Sequence, residues 1–121
     1  MSEILLPYPP SLNRYLRHTG RTYRTEEANK YANMAGWIGN EAGLQLHDGP
    51  VSVQIILHPK AKKNGNASNT RIDLDNALKV AIDALQGVAY INDNQIEQIN
   101  ARYGAPLPGG GLSIAVSPMQ D

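Results

Sequence analysis

Four side chains in one stretch of this sequence have the types and spacing to do chemistry together: Asp73, Asp75, Lys79 and Asp93. Asp73 and Asp75 stand two apart in Arg71-Ile72-Asp73-Leu74-Asp75-Asn76-Ala77-Leu78-Lys79, where a polar loop gives way to an amphipathic run. Asp75, Lys79 and Asp83 follow at i, i+4 and i+8, on one face of the expected helix. Asp93 comes from the turn beyond the short apolar piece after that helix. A helix folding back on such a piece would bring Asp93 toward its first turn, and three carboxylates would converge. Convergent carboxylates repel unless a hard cation joins them, and Mg²⁺ takes oxygen ligands while keeping several waters. Such an ion can bind a phosphodiester, acidify an attacking water and stabilise a leaving oxygen. Lys79 could offset the charge that gathers on the phosphorus centre, or orient the water.

Spacing alone leaves a second reading open. An aspartate before a helix is a common N-cap, and Asp75, Lys79 and Asp83 could be ordinary surface pairs. The segment is not an EF-hand, because Leu78 stands where the loop glycine would fall. His18, His47 and His58 are scattered without ligand spacing. Gly109 to Gly111 lacks the Lys-Ser/Thr of a phosphate loop. Trp37 and Tyr31 fall in an amphipathic helix and read as core or dimer contacts. Asn66-Ala67-Ser68 is a glycosylation sequon by letter only.

Charge is segregated, although the formal net charge of the 121 residues is zero. Eight of the eleven basic residues lie in two acid-free stretches. Arg14, Arg17, Arg21 and Arg24 occupy the first; Lys60, Lys62, Lys63 and Arg71 occupy the second, which abuts the acidic cluster. Basic stretches of this kind suit a phosphate backbone, while overall neutrality argues mildly against one. The absence of cysteine excludes disulfides and thiolate metal sites. No apolar run is long enough to span a bilayer, and the N-terminus has no secretory pattern, so a cytoplasmic protein is expected.

The elements that must position these residues are legible from periodicity. Residues 3–6 read as a strand ended by Pro7, Pro9 and Pro10. Residues 14–24 read as a polar hairpin with its tip at Thr19-Gly20. Thr25 should cap a helix that buries Ala28, Tyr31, Ala35, Ile38 and Ala42, and that Gly36, Gly39 and Gly43 leave dependent on packing. Val51, Val53, Ile55 and Leu57 alternate as a strand that Pro59 stops. Residues 59–70 form a polar loop too long and basic to be a simple connector. A second helix, roughly 74–86, carries Leu74, Leu78, Ile82 and Leu85 on one stripe, with Gly87 as its stop. Strands at 95–103 and from Leu112 to Val116 flank a Pro- and Gly-rich loop. The order predicts one α+β domain over residues 1–121, a mixed or antiparallel sheet packed against two helices.

Pro-Pro-Ser-Leu-Asn-Arg-Tyr near the start, R-x-D-L-D-N-x-x-K, Ile82-Asp83-Ala84-Leu85 and Asn92-Asp93 closely resemble the motifs of the RusA-type crossover junction endonucleases, a bacterial and phage family. The resemblance spans roughly residues 5–117. It implies a homodimeric resolvase that binds four-way DNA junctions by shape and cuts two strands symmetrically, with Mg²⁺ or Mn²⁺. By position, Asp73, Asp75 and Asp93 match the family's metal-binding catalytic acids and Lys79 its essential lysine. Asn76 matches a motif position with an outer, supporting role, and Asp83 matches one whose role is either structural and outer or ligating. Arg14, Arg17, Arg21, Lys60, Lys62, Lys63 and Arg71 are the expected DNA contacts. Two departures stand out: the family is typically basic, and Asn92 replaces one of a pair of acids frequent in relatives.

Two further readings compete with the nuclease. A non-catalytic junction- or duplex-binding module would keep the basic stretches and use the carboxylates as caps and salt bridges. A small-molecule enzyme could use the same metal site, but the chain offers no cofactor fingerprint.

Overall fold

The computed structural model describes residues 2–11, 16–18, 22–69 and 71–119. They form β1 (Ser2–Leu6), β2 (Leu16–His18), β3 (Thr22–Arg24), α1 (Glu26–Glu41), β4 (Val51–His58), α2 (Leu74–Ala84), a 3₁₀ turn (Asp93–Gln95), β5 (Ile96–Tyr103) and β6 (Gly111–Pro118). The alternation that marks β4 in the sequence is a burial pattern: Val51, Val53, Ile55 and Leu57 are sealed, whereas Gln54 faces solvent. In register across β6, Val53 faces Val116, Ile55 faces Ile114 and Leu57 faces Leu112. Ile4 and Leu6 of β1 continue that apolar layer from the far side of β6.

The sheet is mixed, in the order β1-β6-β4-β5. β1 and β4 run antiparallel to β6, while β5 runs parallel to β4. A parallel pair needs a crossover, and residues 59–95, with α2 at their centre, supply it. β5 therefore begins where β4 begins, with Val51 opposite Ile96, and both finish together, with Leu57 opposite Tyr103. β2 and β3 pair as the expected small hairpin, and its tip at Thr19-Gly20 lies outside the described residues.

Thr25 caps α1 as expected, its Oγ1 accepting the Ala28 N–H at 3.1 Å. The buried stripe differs at its end. Ala28, Tyr31, Ala35 and Gly39 are buried, whereas Ile38 is half-buried and Ala42 is an exposed cap residue. The reason is steric: a Cβ at Gly39 would stand 2.9 Å from Val88, so only glycine lets the helix approach so closely. α2 is also rotated from the leucine stripe. Its fully buried residues are Ala77, Val80, Ala81 and Ala84, with Leu74, Leu78 and Ile82 half-buried at the flanks. Three alanines bring the helix axis close to the sheet, and the leucines seal the sides. Among the described residues, no helix is long and apolar enough to cross a membrane.

Candidate active site

Asp73 occupies the N-cap position of α2 in extended backbone (φ −67°, ψ 148°), but its side chain makes no capping hydrogen bond. Asp75 lies in the first helical turn, and both residues are exposed. Lys79, one turn on, is exposed as well, and no ion pair joins it to Asp75; Lys30 and Glu26, at 4.0 Å, do form a helical pair. The alternative of a capping aspartate with surface i, i+4 pairs thus lacks the contacts it requires at Asp73, Asp75 and Lys79. Among the described residues the two carboxylates stand unpaired at the positive end of the helix dipole, with the Lys79 ammonium unpaired one turn further along.

The loop leading into α2 is held from a distance. The Ile72 N–H donates to the Tyr8 hydroxyl at 3.0 Å, and the Tyr103 hydroxyl donates to the Ile72 carbonyl at 3.1 Å. Tyr103 also carries Arg71, whose guanidinium lies 3.9 Å from the ring centroid. Lys60 reaches over the Tyr8 ring at 5.1 Å. A cleft of about 560 Å³ opens beside this end of α2, with Tyr8, Tyr31, Met34, Lys60 and Ile72 among its walls.

The basic segment 59–69 has its own architecture. Lys60 bridges to Leu107 and Ala61 to Ala67, while the Asn64 side chain accepts the Asn66 N–H in a tight turn. Lys60, Lys62 and Lys63 are all exposed on it, and Lys62 reaches the Asn69 side chain at 3.5 Å. Arg14 and Arg21 lie outside the described residues, and of Arg17 only the strand placement in β2 is described.

Asp93 is not brought to Asp73 and Asp75 within the chain, a correction to the expected convergence. Residues 85–91 run as turns rather than as a strand returning along the helix. Tyr90 is buried, and its hydroxyl donates to the Ile82 carbonyl near the C-terminal end of α2. The Asp93 N–H donates to Gln86, just beyond that same end, at 3.3 Å. Asp73 and Asp75 stand at the start of the eleven-residue α2 and Asp93 lies beyond its end, a helix length of about 16 Å at about 1.5 Å per residue. Among the described residues no group of three or more histidines, aspartates or glutamates gathers as a metal cage. The topology is the cause, because β5 must start beside the start of β4, opposite the end where α2 begins.

The Asp93 turn itself is well fixed. Gln95 Oε1 accepts the N–H groups of Ile91 and Asn92 at 2.8 and 2.9 Å. Its Nε2 donates to the carbonyls of His47 and Gly49 at 2.9 and 2.8 Å. Asn92 and Gln95 form a capping box around the turn.

Of the two supporting residues, Asn76 is half-buried with no hydrogen bond to another described residue, and Asp83 is half-buried on the third turn of α2. The loop before them is held by Tyr8 and Tyr103, which sequence reasoning missed. They lie 64 and 31 positions from Ile72, beyond any local pattern.

The donor set suits a hard cation. Mg²⁺ in phosphate-handling sites is commonly held by one or two carboxylates, with waters and substrate phosphate completing the shell. Asp73 and Asp75 meet that description without a third acid from the same chain.

Comparison with known proteins shows the family. The family model described as endodeoxyribonuclease RusA matches residues 7–116. The crossover junction endodeoxyribonuclease RusA of Escherichia coli (strain K12) is 34% identical over 123 residues, covering 97% of this chain and 94% of that protein. The protein of that name from Shigella sonnei is 33% identical over the same span. Its counterpart from Enterobacteria phage HK97 is 29% identical over 121 residues, covering 98% of this chain and 95% of its own length. With a free pair of helix-end carboxylates, a lysine one turn away and a family match along nearly the whole length, the chain belongs to the RusA family of endodeoxyribonucleases.

Proposed function

We propose that this endonuclease resolves four-way DNA junctions, as a homodimer that makes paired symmetric nicks with Mg²⁺ or Mn²⁺ during DNA recombination and repair. The observation that carries the reading is Asp73: it stands at a cap position without capping, so its carboxylate, like that of Asp75, is left for a ligand. Asp73 and Asp75 would hold the ion, which when bound supplies Lewis acidity toward the scissile phosphate and its attacking water. Lys79, exposed on the same helix, stabilises the negative charge that accumulates at phosphorus. Lys60, Lys62, Lys63 and Arg71 hold the backbone leading to the site, with Arg14, Arg17 and Arg21 extending that contact from the hairpin.

Asp93 belongs to the same centre only if a second copy presents it. One ion binds oxygens at about 2.1 Å and cannot span about 16 Å. A two-fold dimer that set the Asp93 end of each chain against the Asp73 end of its partner would form two such centres, which suit two symmetric cuts. The names of the relatives support junction DNA as the substrate, and their enterobacterial and phage sources support a cytoplasmic role, host- or prophage-encoded.

The test is cleavage of a synthetic four-way junction and a matched linear duplex, each with Mg²⁺ and with EDTA. Paired, metal-dependent cuts confined to the junction are expected. Tight junction binding with no cut in Mg²⁺ or Mn²⁺ would replace the reading with a non-catalytic binding module.

A further inference from the structure

We propose that Tyr8 and Tyr103 are positioning residues for the reaction, a two-sided clamp on Ile72 that sets where Asp73 and Arg71 stand. The inference rests on the assignment of Asp73 to the active site.

The N–H and C=O of Ile72 belong to successive peptide planes. Tyr8 takes the first at 3.0 Å and Tyr103 the second at 3.1 Å, so both backbone torsions of Ile72 are fixed from outside. The next residue is Asp73, whose side chain makes no local hydrogen bond that would fix the loop instead. Each tyrosine is itself anchored. Tyr103 ends β5 opposite Leu57 of the central strand. Tyr8 follows Pro7, whose carbonyl accepts the Tyr31 hydroxyl of α1 at 2.7 Å. The Tyr8 ring lies so close over Gly110, at φ +74°, that a Cβ there would stand 2.5 Å from it. The clamp thus carries the rigidity of sheet and helix into a loop that has none of its own. The Tyr103 ring, with Arg71 stacked at 3.9 Å, fixes a DNA-facing cation in the same stroke.

A purely structural role, satisfying a half-buried peptide, would lower stability and leave the chemistry of the folded protein unchanged. The experiment separates the two with Tyr8→Phe and Tyr103→Phe, which keep the rings and lose the hydroxyls. For wild type and variants four quantities are measured: kcat on a four-way junction, the Mg²⁺ concentration giving half-maximal rate, junction Kd in EDTA, and hydrogen exchange of the Ile72 amide. The expected result is a fall in kcat of about 10-fold and a higher Mg²⁺ requirement. Junction Kd should stay unchanged, and Ile72 exchange should be faster in Tyr8→Phe. Tyr103→Leu, which removes the platform under Arg71, should also weaken junction binding in EDTA. Phenylalanine variants that cut with wild-type kcat and metal dependence would overturn the clamp, as would losses that only track a lowered Tm. A wild-type protein that cuts nothing would overturn the active-site assignment beneath it, and the clamp's role with it.

Discussion

The two ends of α2 both present aspartates, but they are built by opposite means. At the N-terminal end Asp73 and Asp75 stand on a loop pinned by tyrosines from distant parts of the chain. At the C-terminal end Asp93 rides a turn whose N–H groups are taken up almost wholly by neighbours: Gln95, Gln86 and Asn92. One end is held by tertiary structure and the other largely by local hydrogen bonding. The N-terminal end therefore takes its geometry from distant parts of the chain, whereas the Asp93 turn takes most of its own from neighbours and is tied to the fold mainly through Gln95 Nε2. A site assembled from the two kinds of part has one component that is rigid by context and one that is rigid by composition.

The sharpest way to break that comparison is to mutate the two ends in separate chains. Asp73→Asn and Asp93→Asn homodimers should each lose cleavage by about a hundredfold or more, with junction binding retained. If the ends meet across a dimer, mixing the two variants restores one intact centre in each heterodimer. Single-strand nicking would then reappear in the gel assay. If each centre is built within one chain, the mixture stays dead. Asp75→Asn, in either setting, should be as inactive as Asp73→Asn, and retained cleavage by the folded protein would remove Asp75 from the site.

Stability measurements sharpen the same contrast at smaller scale. Gln95→Ala leaves two N–H donors and two carbonyls without their partner. At about 1 kcal/mol per lost bond, part of it recovered by water, a loss of about 2–3 kcal/mol is expected in urea unfolding. Thr25→Ala removes a true cap and should cost about 1 kcal/mol. Asp73→Asn removes no capping bond and should change stability by less than about 0.5 kcal/mol, through the helix dipole alone. A loss at Asp73 as large as that at Thr25 would return this aspartate to a structural role.

The same division governs what could be read in the sequence. β4 was legible because two-residue alternation is a local signal, and so was the Thr25 cap, which needs only its own first turn. The motif around Asp73 and Asp75 was legible as a loop-to-helix junction because its spacing lies within one helix start. The placement of Asp93 was not legible. It depends on β5 running parallel to β4, and that follows from sheet order rather than from any residue in the turn. The small-residue stripe of α2 was masked by more conspicuous leucines beside it. Tyr8 and Tyr103 carried no pattern at all, since a hydroxyl reaching across 64 or 31 positions leaves no periodic trace.

The order of the sheet also has a consequence for synthesis. β4 holds much of the core, yet both strands that flank it, β5 and β6, come later in the sequence. β1, the first of the described strands, has β6 as its only described neighbour in the sheet. β4 can pair with β5 before β6 is made, but β1 cannot find its partner until then, and the β1–β6 pairing is among the most distant in the chain. Such non-local topology slows folding and leaves apolar strands exposed in the nascent chain. A truncation within Gly111–Pro118 would therefore remove more than an edge: β6 is the strand that joins β1 to β4 and β5.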